Sequence, residues 1–263
     1  MKYERIYKYF ERLKPVFNEA GSKIMEIYNQ SGYQTLIKDD DTPVTSADHQ
    51  SNDLICSYLE EISPTIPVIS EENVDIPYNV RKDYEYFWLL DPLDGTKEFI
   101  NKTGEFTINL ALIKNDQPIL GMVYAPVQKR LYWAIKKKGA FISNGMNDDI
   151  SIQSRPFRWE DKGLRVICSR SHINTPTKEF IGQFEDPVII PKGSALKFLL
   201  ISEGNADVYP RLGPTMEWDT AAPQIILEEA GGKIVELETG QPVKYNKESL
   251  LNPYFLATGT LMQ

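Results

Sequence analysis

A short apolar run that ends in two aspartates constrains the chain more than any other stretch. Residues 86–90 are five consecutive apolar residues, a pattern typical of a strand that is covered on both faces. Pro92 has no N–H for a strand ladder, so we expect the strand to stop before it, and Gly95 permits a tight turn just beyond. The pattern therefore predicts that Asp91 and Asp94 lie together at the end of a buried strand.

Two carboxylates in such a position repel each other, and a hard cation such as Mg²⁺ would relieve the repulsion. The backbone N–H groups of Gly95 and Thr96 follow directly, and they could hold a phosphate oxygen beside that cation. The alternative is a strand end that is capped by an Asx turn and has no further role. Other carboxylates of the chain bear on this choice.

The composition is that of a soluble globular protein, with 41% hydrophobic and 25% charged residues among 263. A chain of this length can bury a substantial core, as one large domain or as two small ones that share an interface. The formal net charge of −8 argues against nucleic-acid binding, because there is no basic excess to displace counterions. An acidic protein can still bind anions if it recruits metal ions and local lysines.

Two features bear on the cellular setting. Cys56 and Cys168 are far apart, and no apolar segment of the secretory kind follows Met1, so a reduced, cytoplasmic setting is the simpler expectation. No run of residues approaches the length of a membrane span. Peripheral association with the cytoplasmic face of the inner membrane stays open.

The first part of the chain combines a helical region with hairpins. Residues 6–29 have helical periodicity, but Pro15 and Gly21 predict a kink or a break into two helices. Residues 106–142 contain short alternating strands separated by turn residues, which indicates a largely antiparallel sheet.

The second part has a different rhythm. Residues 143–163 are polar and form the best candidate for a boundary, and beyond them strands alternate with helices up to a last helix near 218–230. We therefore expect a single unit, residues 1–263, with sub-halves of about 1–145 and 160–263, in a layered α/β (α+β) fold.

Four more carboxylates lie at the ends of predicted elements. Glu71 and Glu72 directly follow a short predicted strand, which repeats the arrangement of Asp91. Asp48 falls in the first turn of a predicted helix, where its ordinary role would be to complement the helix dipole. Asp219 lies at the start of the last helix, where capping is the default role. Each residue alone has a structural explanation.

Two patches in the second part have the character of anion sites. Gly193 and Ser194 precede a predicted helix, and Lys197 follows one turn later. Arg211 lies in a predicted rigid loop between prolines, from which its guanidinium could hold a phosphate with two hydrogen bonds. A zinc site is disfavoured, because the chain has two histidines and no cysteine cluster.

Taken together, the acidic motifs resemble those of the inositol monophosphatase superfamily of lithium-sensitive, metal-dependent phosphatases. Asp48, the Glu71-Glu72 pair, residues 91–96 and residues 218–222 occur in order with suitable spacing, and the resemblance covers essentially the whole chain. Further segments are most similar to the 3′(2′),5′-bisphosphate nucleotidase branch of that superfamily: residues 91–100, 104–107, 118–121, 123–126, 169–172, 196–198 and 209–211.

The resemblance implies an α/β/α/β/α sandwich with the site between the two halves. It also implies two or three Mg²⁺ ions, held by five residues: Glu71, Asp91, Leu93 through its carbonyl, Asp94 and Asp219. Asp91 would contact two of the ions, and Asp48 would reach a weaker third ion through water.

The same resemblance suggests roles for the remaining site residues. We assign catalytic roles to Asp48, Thr96 and Glu72, with Thr96 paired to Asp48 so that it can take a proton from the attacking water. The substrate-binding residues would be these five: Gly95, Thr96, Ser194, Lys197 and Arg211.

The implied reaction is hydrolysis of adenosine 3′,5′-bisphosphate to AMP and phosphate, which would clear a by-product of sulfur assimilation. An inositol or sugar-phosphate phosphatase on the same scaffold is the first alternative, because fold and metal site do not fix the substrate. A non-catalytic nucleotide sensor is the second. We expect a phosphorylated nucleotide as the partner, no nucleic acid and no obligate protein partner, and a monomer or homodimer.

Overall fold

A computed structural model describes residues 1–30, 35–37, 43–73, 76–144, 148–169 and 174–262. In chain order the helices among them are α1 (Tyr3–Asn29), α2 (Ser46–Ile62), α3 (Tyr78–Arg81), α4 (Thr96–Ile100), α5 (Thr175–Ile181), α6 (Leu196–Ser202) and α7 (Glu217–Glu229). Three consecutive aspartates at 39–41, and His172, lie outside the described residues.

The larger sheet has seven strands. They are β3 (Val68–Ser70), β4 (Tyr86–Asp94), β5 (Thr107–Lys114), β6 (Gln117–Ala125), β7 (Arg130–Ile135), β8 (Ala140–Asn144) and β9 (Asp149–Ile152), in that spatial order. All neighbours are antiparallel except β3 and β4, which run parallel. The predicted antiparallel hairpins are therefore confirmed.

The smaller sheet has the order β12-β11-β13-β15-β14. Its strands are β11 (Arg165–Ser169), β12 (Val188–Lys192), β13 (Val208–Arg211), β14 (Lys233–Glu236) and β15 (Phe255–Thr258). β11 is parallel to β12 and β13, whereas β15 is antiparallel to β13 and β14. The sequence analysis predicted strands that alternate with helices in this part, without their directions, and did not identify the two strands that follow α7.

Four short strands lie outside these sheets. β1 (Thr35–Ile37) pairs with β2 (Pro43–Thr45), and β10 (Pro156–Phe157) pairs with β16 (Thr260–Leu261). The polar segment 143–163 thus carries β9, the last strand of the larger sheet, and β10.

Helices and sheets alternate in five layers. α1 and α2 pack together on one face of the larger sheet, and α7 packs on its other face, beside α6. α7 also contacts β14 of the smaller sheet, and α5 packs against β13. Three buried apolar clusters fill the spaces between layers. The α/β/α/β/α arrangement that the resemblance implied is confirmed.

Helix α1 is one helix of 27 residues, so of the two alternatives predicted for Pro15 and Gly21, a kink or a break into two helices, the break was wrong. Pro15 lies on the exposed side, while Phe10 and Phe17 are fully buried on the opposite side, so packing holds the helix together across the proline. Gly21 has a packing role, because a Cβ there would lie 2.2 Å from the ring of Tyr124.

Strand β4 does not stop before Pro92 but continues to Asp94. Asp91 lies opposite Asn109 and Asp94 lies opposite Thr107, and the register shifts between these two pairs. Between these pairs β4 has two residues, Pro92 and Leu93, where β5 has one, Ile108. The one extra residue makes this a bulge, in which a proline is tolerated because its position needs no ladder N–H.

No described helix is both long enough and apolar enough to cross a membrane.

We expect Gly121→Ala to destabilise the protein by about 1–3 kcal/mol, because it overpacks the contact between β6 and α7. A Cβ at Gly121 would lie 2.5 Å from the backbone oxygen of Ala222 and equally close to Ile225, so backbone must move. Equilibrium urea unfolding measures the loss. The control is Gly182→Ala at a position with helical φ of −63° and ordinary contacts, where a change within about 0.5 kcal/mol is expected. Equal effects of the two substitutions would contradict the close approach of α7.

Candidate active site

Three aspartates from two elements meet between the sheets. Asp91 and Asp94 flank the bulge of β4, and Asp219 is the third residue of α7. One carboxylate oxygen from each lies within 4.8 Å of the other two. The sequence therefore places acids at a strand end and at a helix start, and the packing of α7 on the larger sheet brings them together.

Backbone N–H groups fix two of these carboxylates. Oδ1 of Asp91 accepts from the N–H of Leu93 at 3.0 Å, and Oδ2 of Asp219 accepts from the N–H of Met216 at 2.9 Å. Asp219 thus makes the capping contact that its position predicted, and it lines the site as well. On the neighbouring strand the Glu71 N–H donates to the Leu90 oxygen at 3.1 Å, which holds Glu71 beside the end of β4.

The cluster is electrostatically unfavourable by itself. Burial raises the pKa of Asp91 well above its usual range, and neighbouring carboxylates raise it further, Glu71 first among them. Burial, and then repulsion from Asp94 and Glu71, raises the pKa of Asp219 to about 8. Burial also raises the pKa of Asp94, although Lys197 and the amide of Asn109 oppose that shift. A cation bound among these oxygens would reverse the balance.

The carboxylates line a cavity of about 270 Å³. Ten residues predicted for the site line it: Glu71, Asp91, Leu93, Asp94, Gly95, Thr96, Ser194, Lys197, Arg211 and Asp219. Asp48 and Glu72, the other two predicted residues, are not among the described lining residues. Asp48 lies behind Thr96, and Glu72 follows Glu71 in the turn after β3.

Thr96 connects Asp48 to the cavity. Its hydroxyl lies 3.1 Å from Oδ1 of Asp48 and 3.3 Å from the carbonyl oxygen of Leu93. The other Asp48 oxygen accepts from the N–H and the hydroxyl of Thr45, at 2.8 and 2.7 Å. Asp48 therefore lies in the first turn of α2, as predicted, where it completes a capping box with Thr45, and it contacts Thr96 with its remaining oxygen. Burial raises the pKa of Asp48 above its usual value.

Two turns, one at Gly95 and one at Gly193, meet at Glu105. Gly95 has a φ of +94°, and a Cβ there would lie 2.9 Å from the backbone oxygen of Glu105 and 3.2 Å from Cβ of Ser194. The carboxylate of Glu105 is buried and accepts from the N–H of Gly193 at 2.8 Å and from Lys192 at 3.2 Å. Glu105, which precedes β5 of the larger sheet, thus holds the Gly193 turn, which follows β12 of the smaller sheet, against Gly95.

The cationic residues differ from the sequence expectations in their local structure. Helix α6 begins at Leu196, so Lys197 is its second residue and does not lie one turn inside it, and Ser194 precedes it with a left-handed φ of +48°. Arg211 ends strand β13 and was wrongly predicted to lie in a loop. Its Nη2 donates to the Pro214 carbonyl oxygen, and its buried Nε has no hydrogen-bond partner among the described residues.

Lys197 lies in the field of the aspartates. Burial lowers the pKa of its ammonium group. The negative charge of Asp94 opposes this shift, and the effects of other charged groups are smaller. Lys197 therefore offsets part of the negative charge of the cluster.

Sequence reasoning missed one residue that lines the cavity, Ser169, and one that supports its wall, Glu105. Ser169, the last residue of β11, lines the cavity. The sequence analysis named residues 169–172 only as a segment that carries the family resemblance, and residues 170–173 lie outside the described part. Glu105 had no motif of its own. The signal that could have identified it is its place beside Gly104, in one of the segments that carry the family resemblance.

Five alternating layers with an acid-lined cavity between the sheets define the class of protein as a layered α/β sandwich. The model of the inositol monophosphatase family matches residues 9–261, and the chain belongs to this family.

Similar proteins with functional names cover nearly the whole chain. The 3′(2′),5′-bisphosphate nucleotidase CysQ of Salmonella typhimurium is 40% identical over 251 residues, which span 94% of this chain and 98% of that protein. CysQ of Escherichia coli (strain K12) is 41% identical over 240 residues, 90% of this chain and 94% of that protein. The crystal structure of CysQ from Bacteroides thetaiotaomicron matches with a TM-score of 0.81 at 35% identity, covering 95% of this chain and 96% of that one.

Asp219→Asn should make the metal-free protein less sensitive to pH. The pKa of Asp219 rises from an ordinary value of 3.8 to about 8, so the folded state holds this proton more tightly than the unfolded state does. Its contribution to stability is complete below about pH 4 and is lost as the pH rises to about 8.

Thermal unfolding in the presence of a chelator measures this effect. The melting temperature of the unsubstituted protein should fall over that pH range more steeply than that of Asp219→Asn. Asp186→Asn is the control, because Asp186 is exposed in a loop outside the cavity. Parallel pH profiles for the unsubstituted protein and Asp219→Asn would show that the carboxylates do not repel one another as described.

Proposed function

We propose that the protein is a Mg²⁺-dependent 3′(2′),5′-bisphosphate nucleotidase, which hydrolyses adenosine 3′,5′-bisphosphate to AMP and phosphate. The observation that carries the proposal is the cluster of Asp91, Asp94 and Asp219 in a cavity that also contains Lys197 and Arg211. The similarity at about 40% identity to enzymes named for this reaction supports it.

The residues of the cluster fit a hard divalent cation. The described ligand atoms are all carboxylate oxygens, with neither histidine nor cysteine among them, which suits Mg²⁺ better than a softer metal. Their raised pKa values are what close carboxylates acquire without a cation between them. Asp91, Asp94 and Asp219 would hold the metal, with Glu71 and the Leu93 carbonyl oxygen completing the proposed set for two or three ions.

Bound Mg²⁺ would supply the charge that polarises the phosphate and acidifies a water. The protein would supply the path for the proton. Thr96 has one hydroxyl proton, and its contact with Asp48 allows it to give this proton up as it accepts one from water in the cavity. The raised pKa of Asp48 makes this carboxylate a better acceptor than an exposed aspartate. Glu72 lies outside the cavity lining, and we propose only an electrostatic role for it, through its charge near Asp48.

The two glycine turns would form the phosphate-facing wall. Gly95 and Ser194 approach each other closely, and Glu105 holds the second turn in position. Arg211 is the better candidate for the second phosphate of the substrate, because its Nε has no hydrogen-bond partner in the described part of the chain and it approaches the cavity from the smaller sheet. Lys197 would act on the charge of the cluster itself, since Asp94 has the largest effect of any charged group on the pKa of Lys197.

The wider setting belongs to the same proposal. Inhibition by lithium, a role in sulfur metabolism and a cytoplasmic location are expectations from the family resemblance. Activity that is unchanged at high lithium would count against the assignment.

Phosphate release from three substrates tests the proposed reaction. With Mg²⁺ we expect rapid release from adenosine 3′,5′-bisphosphate and much slower release from AMP and inositol 1-phosphate, and no turnover after exhaustive chelation. Preference for inositol 1-phosphate would indicate the alternative phosphatase. Nucleotide binding without release from any of the three substrates would indicate a sensor. Full turnover without any divalent cation would overturn the metal dependence.

Arg211→Ala should raise KM for the bisphosphate far more than for a monophosphate. A hydrogen bond to a charged group contributes about 1.5–3 kcal/mol, so the differential should be roughly tenfold to hundredfold. Lys197→Ala should lower turnover of both substrates alike, because Lys197 offsets the charge of Asp94.

Steady-state kinetics on both substrates separates these effects. Arg130→Ala is the matched control, since Arg130 lies on β7 near Glu203 and outside the cavity. Equal losses on both substrates for Arg211→Ala would place this residue at the shared phosphate or in the fold.

A further inference from the structure

Strand β5 carries two buried polar residues where its neighbours are apolar. Thr107 and Asn109 are both fully buried, and they lie two residues apart, so their side chains share one face of the strand. Ile108 and Leu110 pack in the cluster on the α1–α2 side, so Thr107 and Asn109 face the α7 side. This is also the face on which Asp219 lies.

The two residues form a hydrogen-bonded chain that ends on a site carboxylate. The Thr107 hydroxyl donates to Oδ1 of Asn109 at 2.9 Å, and Nδ2 of Asn109 donates to Oδ2 of Asp94 at 3.3 Å. Acceptance by Oδ1 fixes the amide orientation so that its N–H faces the aspartate. A buried amide is unfavourable unless it is hydrogen-bonded, and these two contacts satisfy it at both ends.

The register of the strands makes this contact possible. Thr107 lies opposite Asp94 and Asn109 lies opposite Asp91, with the bulge between the two pairs. Ladder hydrogen bonds join backbone groups only, so the orientation of the Asp94 carboxylate depends on the donors around it. The contacts given for Asp91 and Asp219 come from backbone N–H groups, whereas the Asp94 carboxylate accepts from the side chain of Asn109 in addition to the backbone of Ala195.

We propose that Asn109, oriented by Thr107, is a positioning residue that holds the Asp94 carboxylate in the conformation that binds the cation. This inference rests on the proposed cation site. A neutral amide suits the task, because it donates to the carboxylate without bringing a positive charge that would oppose a cation among the three aspartates. Residues that orient metal ligands in this way typically change metal affinity by about 10–100-fold when they are removed.

Calorimetric titration of the metal-free protein with Mg²⁺ tests the proposal without relying on turnover. Asn109→Ala should weaken Mg²⁺ binding about 10–100-fold. Thr107→Val should weaken it in the same direction by a smaller factor, because the amide stays but loses its orientation. Thr107→Ser keeps the hydroxyl and should restore affinity close to that of the unsubstituted protein.

Thr258→Val is the matched control. Thr258 is also fully buried in a strand, and its hydroxyl has no hydrogen-bond partner among the described residues, so its loss should leave Mg²⁺ affinity unchanged. Thermal unfolding without Mg²⁺ verifies that each variant is folded. If Asn109→Ala does not fold, the comparison of Thr107→Val with Thr107→Ser still decides.

Kinetics adds a second measurement. If Asn109 had only a structural role, its loss would not change the dependence on Mg²⁺ selectively. For Asn109→Ala the Mg²⁺ concentration at half-maximal activity should rise, while KM for the substrate at saturating Mg²⁺ stays close to its original value. Unaltered Mg²⁺ affinity in both Asn109→Ala and Thr107→Val overturns the inference, and so does an equal loss in Thr258→Val. Failure of the unsubstituted protein to bind Mg²⁺ is a separate result, which overturns the proposed cation site and this inference with it.

Discussion

The repulsion between three carboxylates held within 4.8 Å of one another is the constraint on which the rest of the site depends. The fold provides each with a donor that carries no full charge: the Leu93 N–H for Asp91, the Met216 N–H for Asp219 and the Asn109 amide for Asp94. Such donors orient the oxygens without neutralising them. Lys197 offsets only part of the charge, so the cluster retains the net negative field that a divalent cation requires.

The position of α7 turns this local chemistry into a site. Asp219 can reach the end of β4 only if α7 lies close against the larger sheet, and Gly121 permits this approach because a side chain there would meet the backbone of Ala222. At the other wall, the buried carboxylate of Glu105 holds the Gly193 turn. The cavity is therefore assembled from both sheets, and small residues at the contacts determine its dimensions.

The sequence predicted the features that local chemistry controls. A proline and a glycine beside two aspartates indicated the end of a buried strand, and the alternation in residues 106–142 indicated the hairpins. The continuation of β4 to Asp94 was not predictable in this way, because the bulge depends on pairing with β5. Tertiary contacts also explain why α1 runs unbroken past Pro15. The packing of its buried side decides the length of the helix, and local helix propensity does not. Strands β14 and β15 are short and take their definition from distant partners.

The site residues likewise divide into those that local sequence indicates and those that depend on distant contacts. Asp91 and Asp94 could be recognised as a pair from the sequence itself, whereas the presence of Asp219 beside them was implied only by the family resemblance. Asn109 was missed because it lies within an ordinary alternating strand, where one amide resembles any polar residue on a solvent-facing side. Its full burial gives it significance, since a buried amide must find partners, and those partners are Thr107 and Asp94. Polar residues in an alternating strand are therefore candidates for contacts that support such a site. The structure is needed to show which of them lie on a buried face.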